Sequence, residues 1–147
     1  MKAKITRLDK SVELPKYHTE ESAGFDLAAN ADVTIQPGEI AKVPTGLVIE
    51  SPKGHFLMIV SRGSTATKKG LKMANAIGIV DRDYAGPNDE IFMPLHNFIN
   101  SVVEIKKGER LGQGMFIRVD QVEWDEVQII RDSDRGGYGS TGGYQNT

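Results

Sequence analysis

Residues 32–54 have the sequence DVTIQPGEIAKVPTGLVIESPKG, in which three short apolar runs are separated by proline and glycine. Each run has the length and β-branched content typical of a strand. The segments Gln36-Pro37-Gly38 and Ser51-Pro52-Lys53-Gly54 have turn composition, and Pro44 ends the middle run. This stretch therefore predicts three consecutive short strands joined by turns.

The same pattern extends to both sides, with apolar runs at a spacing of about ten residues. It favours an all-β sandwich or barrel over a helical or α/β fold. One short helix is expected at 64–69, because Ser64 suits its N-cap and Gly70 suits its C-terminal end. The further expected strands are 5–8, 55–60, 77–80, 90–95, 101–105, 115–119 and 127–130.

The composition limits the classes of function. A chain of 147 residues suggests one domain, and its net charge of −2 argues against a nucleic-acid partner. The chain has no cysteine, which excludes disulfides and thiol nucleophiles, and its three histidines form no HExxH pattern. We expect no signal peptide, no membrane span and a cytoplasmic location, because no long apolar run is present.

The last sixteen residues differ from the rest of the chain. Residues 132–144 contain five glycines and almost no aliphatic side chain, so they cannot bury enough apolar surface to fold alone. We therefore divide the chain into a β domain at 1–131 and a glycine-rich arm at 132–147. The arm is either a frayed terminus or a flap that closes over a phosphate ligand.

The segment 78–86 is the strongest functional signal. It reads GIVDRDYAG, so that an apolar run delivers Asp81 at its end and Tyr84 follows three positions later. A carboxylate held at a strand end can orient a water molecule and accept its proton. The ring of Tyr84 can pack against a sugar or a base, whereas the structural alternative is an acidic residue that caps a turn.

Four other segments carry polar groups suited to binding a nucleotide, although each also suits a turn, a helix cap or a surface position. An arginine at a helix start is a good phosphate ligand, and an asparagine offers both the donor and the acceptor needed to recognise a pyrimidine. The segments are 22–27 with Asp26, 61–66 with Arg62 and Ser64, 73–78 with Asn75, and 107–113 with Gln113.

Together with the arm sequence Gly139-Ser140-Thr141-Gly142, these segments resemble, in order, the five motifs of the trimeric dUTPase family, over residues 22–143, with 73–78 and 78–86 together matching the third motif. The resemblance is closest to bacterial and phage-borne members. It implies a distorted jelly-roll β-barrel with one short helix and a flexible C-terminal arm. It also implies hydrolysis of dUTP to dUMP and pyrophosphate, which limits uracil in DNA and supplies dUMP for dTMP synthesis.

The resemblance also implies residue roles. Asp81 is the general base for a water that attacks the α-phosphorus. Tyr84 packs against the deoxyribose and excludes a 2′-hydroxyl, while Asn75 and the backbone of Gly78 and Ile79 bind uracil. The groups expected to contact the phosphates or to close over them are Arg62, Gly63, Ser64, Gln113, Arg135, Tyr138, Gly139, Ser140 and Thr141.

The family further implies Mg²⁺ bound through the triphosphate and waters, with no direct protein ligand. Asp26 either contacts the ion through a water or only supports the contact between subunits. It implies a homotrimer with shared active sites and an arm that reaches a neighbouring chain. Two alternatives stay open: a dCTP deaminase-like enzyme, and a nucleotide-gated regulatory protein with its own protein partner if the chain is phage-borne.

The chain departs from the family pattern at two places. Residues 61–64 read Ser-Arg-Gly-Ser where the family has Pro-Arg-Ser-Ser, so Ser64 or the N–H of Gly63 must replace a serine. Tyr138 lies only three positions after Arg135, whereas many family members place an aromatic residue five positions after this arginine. Phe92 and Phe98 are the alternative aromatic residues for covering the uracil.

Overall fold

The computed structural model describes residues 1–137, so the predicted ligand contacts at Tyr138, Gly139, Ser140 and Thr141 lie outside the described residues. Residues 1–137 form short strands and one five-residue helix, which confirms the all-β prediction. The elements are β1 (Lys4–Arg7), β2 (Phe25–Ala28), β3 (Val33–Ile35), β4 (Ile40–Pro44), β5 (Leu47–Glu50), β6 (His55–Ser61), α1 (Thr65–Lys69), β7 (Leu71–Met73), β8 (Gly78–Val80), β9 (Phe92–Asn97), β10 (Val103–Ile105) and β11 (Arg110–Arg118).

The strands pair antiparallel in four sheets. The largest has the order β2-β11-β6-β8, and a three-stranded sheet has the order β4-β9-β7. Two further pairs join β1 to β5 and β3 to β10. The long pair of β6 and β11 is central to the first sheet, and it therefore positions the polar segments at its two flanks, β2 and β8.

The core follows from alternation along the strands. In β9, Met93, Leu95 and Asn97 are buried, whereas Phe92 is exposed and the residues between the buried ones are partly exposed. Asn97 is the one polar member of this row, and its side-chain amide donates to Ile35 O at 2.9 Å and to Ser101 O at 2.8 Å. The buried polar group is therefore paired, and it connects two sheets.

The short helix begins and ends where the sequence predicts. Gly70 adopts the left-handed conformation at φ 66° and donates its N–H to Ala66 O, which ends the helix. Ser64 occupies the N-cap position, but its side chain makes no capping hydrogen bond. In the described part of the chain, no helix is long and apolar enough to cross a membrane.

The prediction of a strand at 127–130 is wrong. Residues 119–131 form no strand, and Val127, Ile129 and Ile130 are 51%, 71% and 87% exposed. A strand needs a partner for its backbone N–H and C=O groups, and local β propensity cannot supply one. The strands β2 and β7 are also absent from the series of strands that the sequence predicts.

We expect Leu95→Ala to lower the free energy of unfolding by about 2–5 kcal/mol, because it empties a fully buried site between β4 and β7. Ile40→Ala is the control, since Ile40 lies on the neighbouring strand β4 and is 58% exposed, and its effect should stay within about 0.5 kcal/mol. Urea unfolding at one protein concentration measures both. Equal losses in the two variants would contradict this assignment of the core.

Candidate active site

The structure brings the predicted residues together in two separate groups. One group lines a cavity of about 320 Å³, called here the Asp81 cavity, and the other lines a cavity of about 400 Å³, called the Arg62 cavity. Arg135 is exposed and lines neither cavity. The Asp81 cavity contains Asn75, Gly78, Ile79, Asp81 and Tyr84, and the Arg62 cavity contains Asp26, Arg62, Gly63, Ser64 and Gln113.

The Asp81 cavity is built around the end of β8. This strand ends at Val80, and Asp81 follows it with an exposed side chain. A turn then brings Tyr84 back, because its N–H donates to Asp81 O at 3.3 Å and its hydroxyl donates to Glu90 O at 3.3 Å. The carboxylate and the phenol ring therefore face one cavity, as the sequence predicts.

The turn between β7 and β8 forms another wall of this cavity. Ala76 has φ 59°, a left-handed conformation that is uncommon for a residue with a side chain. The turn is held by Ala74 N–H donating to Pro94 O at 2.8 Å and Ile77 N–H donating to Asn75 O at 2.6 Å. Asn75 is left exposed at the cavity, where its amide is available to a ligand.

The lining of the Asp81 cavity combines polar groups with apolar side chains. Ile59, Met73 and Ile91 contribute buried apolar surface next to Asn75 and Asp81. Phe92 lines the same cavity, whereas Phe98 is not among its lining residues and instead packs under Lys72 Nζ at 5.8 Å from the ring centroid. Of the two alternative aromatic residues, Phe92 is therefore the one that lines the Asp81 cavity.

Arg82 anchors the turn that carries Asp81. Its guanidinium contacts the Glu50 carboxylate at the end of β5, and Lys4 Nζ lies 2.7 Å from Glu50 Oε2. The hydrogen bond from Lys4 is the main cause that lowers the pKa of Glu50, and the charges of Lys4 and Arg82 act in the same direction. Glu50 is therefore held ionised at neutral pH, and it ties the Asp81 turn to β1 and β5.

A β-bulge shapes the Arg62 cavity. In the pairing of β11 with β2, Arg110 lies opposite Ala28 and Gln113 lies opposite Asp26, so β11 contains one extra residue, Leu111. Residues three apart on a regular strand point to opposite faces, whereas the extra residue places Arg110 and Gln113 on the same face as Asp26.

The bulge also holds the segment that carries Arg62. The carbonyl of Leu111 accepts from Arg62 N–H at 3.0 Å and from the buried hydroxyl of Thr65 at 2.7 Å. Thr65, rather than the predicted cap Ser64, therefore makes the hydrogen bond that fixes the start of α1. Ser64 is left lining the cavity, next to Gly63, whose Cβ position is open space.

Asp26 is the charged centre of the Arg62 cavity. Its Oδ1 lies 2.9 Å from Arg62 Nε, and its Oδ2 lies 2.8 Å from His18 Nε2 and 3.3 Å from Arg110 Nη1. A carboxylate has about four acceptor positions, of which three are used here. One position is left for a water, so Asp26 fits contact with a hydrated Mg²⁺ better than direct ligation of the metal.

His18 and Arg110 are functional candidates that the sequence analysis missed. Arg110 precedes Gln113 by three residues, which on a regular strand would point it away from the cavity. His18 lies in an N-terminal loop without secondary structure, and no local pattern connects it to Asp26. Among the predicted residues, Gln113 donates its side-chain amide to Ser61 O at 3.3 Å and still lines the cavity.

The two cavities lie far apart on one chain and share no lining residue. Asp26 on β2 lies opposite Gln113 on β11, which lies opposite Val60 on β6. On the other side of β6, Leu57 lies opposite Val80, the residue before Asp81. Asp81 and Asp26 are thus separated by about 13 Å along the strands and by three strand spacings, about 14 Å, across the sheet. One chain alone does not place its carboxylate Asp81 against a ligand held by its own Arg62.

Comparison with known proteins gives a consistent result. The dUTPase family model matches residues 10–142 of this chain. The chain is 42% identical over 144 residues to the deoxyuridine 5′-triphosphate nucleotidohydrolase of Nautilia profundicola, covering 97% of this chain and 99% of that protein. It is 41% identical to the enzyme of the same name from Lactococcus lactis, over 89% of each chain.

The fold is similar to solved structures as well. A dUTPase from Streptococcus mutans aligns with a TM-score of 0.75 and 31% identity, covering 83% of this chain and 98% of the other. The dUTPase of Staphylococcus bacteriophage 80alpha, solved with dUPNHPP, aligns with a TM-score of 0.84 over 96% and 98% of the two chains. At 20% identity the latter similarity concerns the fold alone.

Proposed function

The chain belongs to the dUTPase family, and from that premise we propose that it hydrolyses dUTP to dUMP and pyrophosphate. The single observation that carries the proposal is the grouping of Asn75, Asp81 and Tyr84 in one cavity of nucleoside size. The hydrolysis would limit uracil in DNA and supply dUMP, and we place it in the cytoplasm.

Asp81 is the general base of the proposed reaction. A carboxylate oxygen can accept a proton from a water molecule that is held within hydrogen-bond reach. The water oxygen bonds to the α-phosphorus, the bond to the bridging oxygen breaks, and pyrophosphate leaves. The turn held by Arg82 and Glu50 supports this role, because a base must be fixed within hydrogen-bond reach of the water.

Uracil and deoxyribose occupy the Asp81 cavity in this proposal. Asn75 and the backbone groups of Gly78 and Ile79 bind the edge of uracil, and a wrong base is rejected because it leaves these polar groups unpaired. Tyr84 packs against the sugar, where its hydrogen bond to Glu90 supports a fixed ring position that excludes a 2′-hydroxyl.

The triphosphate occupies the Arg62 cavity. Arg62 and Gln113 donate hydrogen bonds to phosphate oxygens, Ser64 and the N–H of Gly63 serve in place of the missing serine, and Arg135 approaches with the arm. Asp26 would accept a hydrogen bond from a water of a Mg²⁺ ion bound to the phosphates, and that ion would supply positive charge to the triphosphate. The arm residues Tyr138, Gly139, Ser140 and Thr141 close over the nucleotide.

The separation of the two cavities supports a homotrimer with shared active sites. An attacking water must lie within about 3–3.5 Å of the reacting phosphorus, which requires Asp81 of one chain to meet Arg62 of another. The exposed apolar residues of 119–131 also suit burial against a neighbouring copy. They are Val119, Val122, Trp124, Val127, Ile129 and Ile130.

A nucleotide panel with pyrophosphate release as the readout tests the function. We expect release from dUTP and almost none from UTP, dTTP or dCTP, whereas ammonia release from dCTP would indicate the deaminase alternative. A mass measurement in solution should give three times the 16.1 kDa of one chain. Binding of a regulatory protein partner stays a prediction, based on the resemblance to phage-borne members of the family.

Arg62→Ala is expected to raise KM for dUTP by about 10–100-fold, because a forked, charge-assisted phosphate contact is lost. Arg62→Lys should recover only part of the loss, since lysine keeps the charge without the fork. Arg118→Ala is the matched control, because Arg118 lies exposed at the far end of β11. Steady-state kinetics measure all three, and an unchanged KM in Arg62→Ala would contradict the assignment.

A further inference from the structure

We propose that His18 is a positioning residue of the phosphate-binding site, acting through Asp26 and Arg110. The inference rests on the proposed function and assigns a role to a loop residue outside the five recognised segments. His18 Nε2 lies 2.8 Å from Asp26 Oδ2 and also contacts the Arg110 guanidinium. The same Asp26 carboxylate holds Arg62 through its other oxygen, so His18 is connected to the main phosphate ligand.

The loop presents His18 in a fixed place. On one side, the ring of Tyr17 packs edge-to-face on the buried ring of Phe25, with centroids 5.7 Å apart. On the other side, Thr19 and Ser22 form a turn in which Thr19 N–H donates to Ser22 Oγ at 3.0 Å. Because both neighbours are anchored, the imidazole is held against Asp26 although its side chain is 56% exposed.

The chemistry of the contact explains why the residue matters. Asp26 is 14% exposed and is surrounded by two arginines, so its orientation decides where both guanidiniums point. His18 is the third group on the carboxylate and shares Oδ2 with Arg110. Without the imidazole, Oδ2 keeps only the longer contact with Arg110, so the orientation of the carboxylate toward Arg62 is held less firmly.

The imidazole also lies at a boundary between cavities. His18 and Asp26 both line the Arg62 cavity and a neighbouring cavity of about 410 Å³ that Lys16 and Lys107 also line. They therefore form part of the wall between the two. The charged groups in direct contact with His18 are Asp26 on β2 and Arg110 on β11. Other charged residues that line the two cavities beside it are Glu13, Lys16, Arg62 and Lys107.

The His18→Gln variant distinguishes a role that depends on hydrogen bonds from one that depends only on the volume of the side chain. A single imidazole nitrogen either donates to Asp26 or accepts from Arg110, depending on whether it carries a proton. A glutamine amide reaches a similar distance and has both a donor and an acceptor. His18→Gln can therefore donate to Asp26 or accept from Arg110, whichever contact the imidazole makes, whereas His18→Ala can do neither.

The first test measures the dissociation constant of dUpNHpp by calorimetry. We expect His18→Ala to weaken binding about tenfold, because hydrogen bonds to charged groups are lost, and His18→Gln to stay within about twofold of the parent. KM for dUTP should rise in His18→Ala more than kcat falls. His55→Ala is the control, since His55 lies at the start of β6 and lines neither the Arg62 cavity nor the Asp81 cavity. Equal affinities in all variants, or equal losses in the Ala and Gln variants, overturn the proposal.

The second test observes the imidazole directly. The ring ¹⁵N signals of His18, identified by their loss in His18→Gln, should shift in Asp26→Asn while those of His55 and His96 stay unchanged. Unshifted His18 signals overturn the proposal whatever the kinetics show.

Inorganic tripolyphosphate separates this inference from the proposed function. If the parent binds tripolyphosphate but does not hydrolyse dUTP, the function is wrong, and the Ala and Gln variants are then compared on tripolyphosphate with the same expected tenfold and twofold limits. If the parent hydrolyses dUTP and His18→Ala binds both probes like the parent, only the role of His18 is wrong.

Discussion

Asp81→Asn should lower kcat for dUTP by about 10²–10⁴-fold, because the amide cannot accept the proton of the attacking water. The change keeps the shape of the side chain. The hydrogen bond from Tyr84 N–H goes to the main-chain carbonyl of residue 81, so it does not involve the carboxylate. Binding of dUpNHpp should therefore stay close to that of the parent. Single-turnover kinetics and calorimetry together separate the loss of chemistry from the loss of affinity.

The matched control for this variant is Asp83→Asn. Asp83 lies two residues further along the same turn, where its carbonyl accepts from Ala85 N–H, and its side chain does not line the Asp81 cavity. We expect nearly parental turnover in this control. Parental cleavage by Asp81→Asn, in a protein of unchanged mass in solution, would refute the assignment of the general base.

Deletion of residues 132–147 is expected to reduce kcat/KM by about 10²–10³-fold, the loss typical of removing groups that stabilise charge on a reacting phosphate. The deletion removes Arg135 and the glycine-rich segment that we propose closes over the nucleotide. The fold should survive, because the buried apolar core lies between Val12 and Leu111 and the described arm residues are exposed. Circular dichroism, thermal unfolding and pyrophosphate release measure the two parts of this prediction.

A shorter deletion of 145–147 is the control for the loss of chain length, since it keeps all predicted arm contacts. It should retain nearly full activity. If the longer deletion hydrolyses dUTP at the parental rate, the arm is a terminus without a catalytic role. If the longer deletion fails to fold, the assignment of 1–131 as the folding domain is wrong instead.

Local chemistry made much of the Asp81 cavity predictable. The apolar run before Asp81 is a strand, and Tyr84 returns three residues later through a turn, so both side chains lie within one short segment. The helix at Thr65–Lys69 was predictable for the same reason, since Gly70 ends it by adopting a left-handed conformation. Contacts over three or four residues depend little on the rest of the fold.

The Arg62 cavity was predictable only in part, because its contacts join distant segments. Asp26 and Arg62 were named from the sequence, but nothing in their neighbourhood indicated that one carboxylate holds two arginines and a histidine. The expected strand at 127–130 failed for a related reason. Its residues have β propensity, but a strand forms only where another backbone is available to pair with it.

Spacing and turn residues along the chain were enough to predict most of the short strands, the single helix and the acid–aromatic turn at Asp81. Three features follow only from how the strands pair in the folded chain: the bulge at Leu111, which turns Arg110 toward Asp26, the contact of His18 with Asp26, and the separation of the two cavities. These features depend on register between strands far apart in sequence, and one extra residue reverses which face a side chain occupies.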